Sequence, residues 1–238
     1  MFIQNVMILT ASFFSQLAGY VIVILIPIVV LYIVYLIITK TFRDMGFSSF
    51  EAIVIVFVSF FLGAGILDDY VGVSFSNIPL FTYHEYWKVG INVGGAVIPI
   101  ILSLYLSLKN RLKPLPVILG IGVISVVTFF VTYPDPEKGI VSTFPLWVAP
   151  IVVASLVSLF FCWNEKRKSA PFAYIIGTVG VLIGADCLHL MSLLENEVQT
   201  TRYAVIGGAS VFDMVFITGI LAVFLDGLLI IQQKRKKD

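Results

Sequence analysis

The sequence predicts an all-α, polytopic membrane protein of about seven transmembrane helices, amino end outside and carboxyl end cytoplasmic. Three observations predict it. Hydrophobic residues fill 59% of the 238 positions and charged residues 12%, against roughly 25% charged in a soluble domain. The apolar residues arrive in blocks of about twenty, long enough to cross a hydrocarbon core of roughly 30 Å. Lys and Arg crowd onto one side of the layout those blocks imply. The ten-residue alternation of a transmembrane barrel is missing, so helices are left to satisfy the backbone in lipid.

From Phe2 to Thr39 no side chain is charged. A straight helix of that length would overshoot the bilayer by roughly 25 Å, which places the first span at about 18–38. Residues 1–17, with Gln4, Asn5, Ser12, Ser15 and Gln16, are expected to lie along or re-enter the outer interface. A cleaved signal peptide is the competing reading, but a basic n-region is lacking. The second span, about 51–67, ends at Asp68-Asp69, and a mixed loop runs from Tyr70 to Lys88. The third, about 89–108, closes on Lys109, Arg111 and Lys113. The fourth, about 114–133, stops at Pro134 and Pro136. The fifth covers about 144–163, before Glu165-Lys166-Arg167-Lys168. The sixth opens on Pro171, a favoured first-turn residue, and reaches about 194. The seventh, about 204–231, precedes Lys234-Arg235-Lys236-Lys237.

In that layout the loops after spans one, three and five, with the tail, hold twelve of the fifteen Lys and Arg. Lys88, Lys138 and Arg202 are the other three. This positive-inside bias sets the orientation. The chain reads as one transmembrane domain over 1–238 in the cell membrane, without a nucleotide-binding loop, a zinc-type motif or a Gly-x-Ser-x-Gly nucleophile. Cys162 and Cys187 lie in apolar stretches and read as small buried hydrophobes. The basic tail reads as an anchor on anionic lipid rather than a nucleic-acid site. The expected partners are the lipid bilayer and membrane-protein substrates, with no cofactor, metal or nucleic acid.

An ionisable residue deep in a span costs about 2.5–3.5 kcal/mol on insertion scales, so each needs a reason. Asp186 falls about eight residues before the end of span six, and Asp213 about nine after the start of span seven. At 1.5 Å per residue both would sit roughly 12–14 Å below the outer interface. Two carboxyls at one depth on consecutive antiparallel helices are candidates for a catalytic pair; interhelical hydrogen bonding is the plainer alternative. Gly184 belongs with Gly177 and Gly180 on one side of span six, with Asp186 on roughly the other. Gly207 and Gly208, with Ala209, would let span seven approach a neighbour closely. On span three, Asn92, Ala96, Pro99 and Ser103 share a helical face, so Asn92 is expected to join the acids. Gly94, Gly95 and Pro99 would loosen that helix and free carbonyls. His189, one turn from Asp186, is a candidate proton relay. Asp68 and Asp69 read as a solvated helix end, and Asp226 as a partner of the basic tail or a snorkelling acid.

Three segments together resemble a known family. They are Asn92-Val-Gly-Gly-Ala-Val-Ile-Pro99, Ile183-Gly-Ala-Asp186 with Leu188-His189-Leu190, and Gly207-Gly-Ala-Ser-Val-Phe-Asp213 with Phe216-Ile-Thr-Gly219. The family is prokaryotic, membrane-bound and catalogued as a domain of unknown function (sixteen-fourteen in that series). A looser resemblance is to the intramembrane aspartyl proteases, presenilin and signal peptide peptidase. Val211-Phe212-Asp213 resembles their Tyr-Asp with Phe for Tyr. Ile183-Gly184-Ala185-Asp186 resembles their Gly-x-Gly-Asp with Ala185 for the second glycine, in reversed order. This likeness implies a diaspartyl intramembrane hydrolase acting on peptide bonds of membrane segments. A proton- or cation-coupled transporter and a structural subunit of a membrane complex are the alternatives that buried acids also allow.

Overall fold

The computed structural model describes residues 2–66, 68, 72, 74–198, 200–208 and 213–235, with backbone alone at 2–18 and 233–235. Asp69, Tyr70, the run Ala209-Ser210-Val211-Phe212, Lys236 and Lys237, named in the readings above, lie outside the described residues. The chain divides into two units, Met1–Thr39 and Lys40–Asp238. Helices dominate, and among the described residues four are long and apolar enough to cross a membrane: Gly19–Asp44, Pro114–Val131, Lys166–Leu194 and Met214–Gln232. Three shorter apolar helices accompany them, at Ser49–Gly63, Val93–Lys109 and Leu146–Phe161.

The first unit is helix. α1 runs without interruption from Phe2 to Asp44, 43 residues, with Pro27 inside it. Residues 2–17 therefore continue the helix rather than forming a separate interfacial or re-entrant segment. Apolar sequence gives the backbone no outside partner, so it bonds within the helix, and one proline is tolerated in such a setting.

The second unit holds the rest. α2 (Ser49–Gly63) opens on a reciprocal capping box: Glu51 N–H donates to the Ser48 hydroxyl at 3.2 Å, and Ser48 N–H to the Glu51 carboxylate at 2.7 Å. The helix ends at Gly63, well before Asp68. That half-exposed acid does not end the helix: it accepts from Phe75 N–H at 2.7 Å, Ser76 N–H at 3.1 Å and the Ser76 hydroxyl, and shapes the turn that follows.

Two β-sheets correct the all-helical expectation. β1 (Asn77–Tyr83) and β2 (Trp87–Asn92) form an antiparallel hairpin where a loop and the start of span three were expected. β5 (Arg202–Ile206) replaces the first turn of span seven and pairs in parallel with β2, from Trp87↔Arg202 to Ile91↔Ile206. The sheet order is β1-β2-β5, so β5 is an edge. β3 (Thr132–Asp135) and β4 (Gly139–Ser142) make a second hairpin. The physical reason shows in β2: Trp87 and Val89, two residues apart, are buried against Leu193, Leu194 and Ala204, a period-two pattern with Lys88 on the other face. Trp87 also donates its indole N–H to Asn196 O at 3.0 Å.

The helices of this unit surround one buried member. A π-helical turn (Val93–Val97) leads into α3 (Ile98–Lys109), followed by α4 (Pro114–Val131) and α5 (Ala149–Phe161). α6 (Ser169–Val181) passes through a second π-helical turn (Leu182–Cys187) into α7 (Leu188–Leu194), and α8 (Met214–Arg235) closes the chain. α6 packs on α3, α4, α5 and α8, and is buried along almost its whole length. Glycines permit these approaches. A Cβ at Gly184 would overlap the Ser125 carbonyl of α4, and one at Gly180 would lie 2.6 Å from the Ile124 Cβ. Gly177 instead faces Thr218 and Gly219 of α8, so the three glycines serve two interfaces rather than one.

Candidate active site

Asp186 and Asp213 are brought together, though not as two mid-helix residues. Asp186 sits in the π-helical turn Leu182–Cys187. Such turns place an extra residue in the helix and re-aim the side chains around it. Gly184, two residues earlier, allows the close backbone crossing with α4 that fixes the turn's position. Asp213 immediately precedes α8. Its carboxylate accepts from Val215 N–H at 2.9 Å and its carbonyl from Ile217 N–H at 3.0 Å, which makes it the cap of that helix. The correction has one cause: residues 202–206 pair with β2 as a strand, so the last helix begins ten residues later than its apolar run.

Gly207 turns the chain out of β5 at φ +69°, and its N–H donates to Asp186 Oδ2 at 2.8 Å. An added Cβ there would meet Gly95 C at 2.7 Å and Ala96 N at 2.8 Å. Gly207 thus ties the end of β5, the first π-turn and the Asp186 carboxylate into one junction. Gly208 completes the turn, its N–H donating to Val205 O at 3.1 Å.

Both carboxyls line one cavity of about 510 Å³, and both line a second of about 320 Å³. They lie close enough to feel each other's charge. Arg202, Tyr203, Ala204, Val205 and Ile206, five consecutive residues, wall the larger cavity. A sheet face would contribute every second residue; an unbroken run means the cavity follows the strand's edge. Opposite stand Pro136 to Ile140, the tip of the β3–β4 hairpin. The larger cavity is therefore a slot between the edge of β5 and the tip of a hairpin, with two acids in its wall. Lys138, Arg202 and Glu137 give its rim charge, and the Arg202 guanidinium donates to Glu137 O at 3.5 Å across it. Beneath the hairpin tip, the N–H groups of Glu137 and Lys138 donate to Asp135 and hold its carboxyl below the usual range.

The other expected site residues are placed elsewhere. Asn92 does not join the acids. It ends β2 with 1% of its surface exposed and caps the first π-turn, accepting from Gly95 N–H at 2.8 Å. Its amide donates to Gly63 O at 2.9 Å and Asn77 Oδ1 at 3.0 Å, so its polar atoms are used locally. Gly94 is where that turn crosses α2: a Cβ would overlap the Ser59 carbonyl. Gly95 supplies the N–H that Asn92 caps, and Pro99 sits buried in the first turn of α3. His189 stacks on Phe129, ring centroids 4.5 Å apart and planes 8° from parallel, with Nε2 3.1 Å from Phe129 O. It lines neither cavity, so the arrangement does not place it as a relay. Cys187 is exposed, contrary to its reading as a buried hydrophobe, whereas Cys162 is buried. Asp226 is fully buried; Ser169 donates to it at 2.7 Å, and Ser158 in turn donates to Ser169 O at 2.8 Å, while the side chains of the basic tail lie outside the described residues.

Sequence reasoning missed the slot's other walls, Glu137, Lys138 and the whole of β5, and Trp147 of the smaller cavity. One signal was available. Lys138 and Arg202 are two of only three cations on the sparsely charged side, and both stand at the slot.

A search of curated proteins and of solved structures found no match to the chain. The likeness to intramembrane aspartyl proteases finds no support in these comparisons. The sequence model of the family described as "Protein of unknown function (DUF1614)" matches residues 67–225, which contain both carboxyls and every strand. The chain belongs to that family.

Proposed function

We propose that the protein is a diaspartyl hydrolase of the cell membrane that cuts peptide bonds of membrane-embedded segments, with Asp186 and Asp213 as its acid–base pair. The observation that carries this is the slot: two acids in the wall of one cavity that runs along the outer edge of β5, which pairs with no further strand among the described residues. An unpaired edge offers its backbone groups to an extended peptide, and main-chain pairing would lay that peptide beside the acids. Two adjacent carboxyls share a proton because both cannot easily ionise. The ionised one takes a proton from water as the oxygen attacks the scissile carbonyl, and the protonated one donates to the carbonyl oxygen. The tetrahedral intermediate then collapses: the C–N bond breaks, the amine leaves with a proton from the pair, and a hydroxyl of the intermediate returns its proton to the pair as the new carboxyl forms. Gly207 N–H keeps Asp186 oriented, and Val215 N–H does the same for Asp213.

The reading includes seven crossings, amino end outside and tail cytoplasmic. Twelve of fifteen Lys and Arg on one side support it, as do three short apolar helices beside the four long ones. It puts the strand-bearing end and the slot on the outer side. Irregular backbone such as the Gly207 turn is tolerated at membrane depth where it lines a cavity.

The test uses the full chain in lipid nanodiscs, with membrane-segment peptides read by mass spectrometry. Cleavage that is lost in both Asp186→Asn and Asp213→Asn supports the reading. No cleavage by the unaltered chain, together with ion flux in vesicles that survives one of the two substitutions, moves the assignment to a cation-coupled transporter.

A further inference from the structure

The smaller cavity shares both carboxyls with the slot but differs from it in chemistry. Two of its walls carry hydroxyls that are already committed: Thr132 donates to Thr128 O at 2.8 Å and Ser142 to Val131 O at 2.6 Å. The other walls are aliphatic, thioether or aromatic, namely Ile140, Trp147, Ala185, Met214 and Ile217. Apart from the acids, no residue of this lining is charged. A cavity of about 320 Å³ would hold about ten waters at roughly 30 Å³ each, and these walls suit one bulky apolar group better.

Its position follows from the acids' own neighbours. Ala185 precedes Asp186 and Met214 follows Asp213 in the chain. Ile217 lies one turn beyond Asp213, so α8 presents acid and pocket wall on one side. Trp147, from the short 3₁₀ turn Leu146–Val148, is the largest wall residue. A peptide lying along β5 would pass the acids with its backbone, and the side chain next to the scissile bond would have this cavity within reach.

Resting on the diaspartyl reading, we propose that the smaller cavity is a specificity pocket for a large aliphatic or aromatic side chain beside the cleaved bond, sized by Trp147 and Ile217. A hydrophobic pocket discriminates by about 10- to 200-fold per methylene-sized change. The native protein therefore prefers Leu or Phe to Ala at that position by at least about tenfold.

The experiment takes the full chain in nanodiscs, unaltered and as Ile217→Trp and Trp147→Ala, with peptides differing only at that residue. Ile217→Trp should fill the pocket and reverse the preference toward Ala; Trp147→Ala should enlarge it and admit Trp. Cleavage by both variants in the native order of preference overturns the pocket while leaving the hydrolase reading intact. Should no peptide be cleaved, the hydrolase reading fails by itself, and binding decides the pocket. Peptides with a hydroxyethylene group in place of the amide, bearing Phe or Ala, are compared in the same nanodiscs. At least tenfold tighter binding of the Phe form, abolished by Ile217→Trp, sustains the pocket; equal binding of the two forms overturns it.

Discussion

The antiparallel pair formed by α6–α7 and α8 carries acid at both ends, half-buried at Asp186 and Asp213 and fully buried at Asp226, and the ends differ in what surrounds it. At the strand-bearing end, Asp186 and Asp213 open onto two cavities and are held by backbone N–H groups from Gly207 and Val215. At the opposite end, Asp226 is enclosed by α5, α6 and α8 and tied through Ser169 to Ser158. At both ends hydrogen bonds to the carboxylates offset part of the cost of taking them from water. Only one leaves space beside the carboxyls for another molecule. A buried aspartate in an apolar helix is thus weak evidence of chemistry until the packing around it is known.

The sharpest way to break this comparison is to neutralise each acid in turn. Asp186→Asn and Asp213→Asn should each lower cleavage by at least about a thousandfold, since hydrolysis needs both groups, while thermal unfolding in detergent stays near the native value. Asp226→Asn should leave cleavage within a few-fold of native. Equal loss at all three positions would erase the distinction between the ends.

Packing provides the next largest effect. Gly94→Ala and Gly184→Ala each place a methyl on a carbonyl of the crossing helix. Overpacking of this kind costs typically 1–3 kcal/mol, and the upper part of that range is expected, seen as a lowered unfolding midpoint. Gly122, which has open space where a Cβ would go, should accept Ala without loss.

A middle-sized effect is expected at Asp226. Removing its carboxyl with Asp226→Ala takes away the acceptor of the Ser169 hydroxyl and should destabilise by about 1–3 kcal/mol, whereas Asp226→Asn keeps an acceptor and should cost less. Chemical denaturation of the two variants side by side would measure the difference.

The smallest effect is local and pH-dependent. The Ser76 hydroxyl, then the N–H groups of Phe75 and Ser76, hold the Asp68 carboxyl below its usual range. A depressed carboxyl contributes stability above its unfolded value, near pH 3.9, and loses it as pH falls through the lower folded value. Hydrogen exchange at Phe75 and Ser76 should therefore quicken under strong acid, and at all pH values in Asp68→Asn. Unchanged exchange in that variant would remove Asp68 as the organiser of the turn.

How much of this was readable in the chain varies with the range of the forces involved. α4 and the helical stretch from 169 to 194 follow their apolar runs closely, because a helix satisfies its backbone from within and needs no partner. The glycines also announced close crossings correctly. β2 and β5 were hidden because they pair across more than a hundred residues, and their apolar side chains merged with the neighbouring helical runs. Asn92 was misread for the same reason. Its helical periodicity with Ala96 and Pro99 is real in the sequence, but residue 92 belongs to a strand.

By itself the sequence determined the membrane class, the uneven charge and the two acids that stand out in apolar surroundings, since these follow from composition and from the cost of burying charge. Tertiary structure decided where helix gives way to strand, which acids share a cavity, and that Asn92, His189 and Asp226 are held by local partners. Those outcomes depend on contacts between residues distant in the chain, which no local propensity contains.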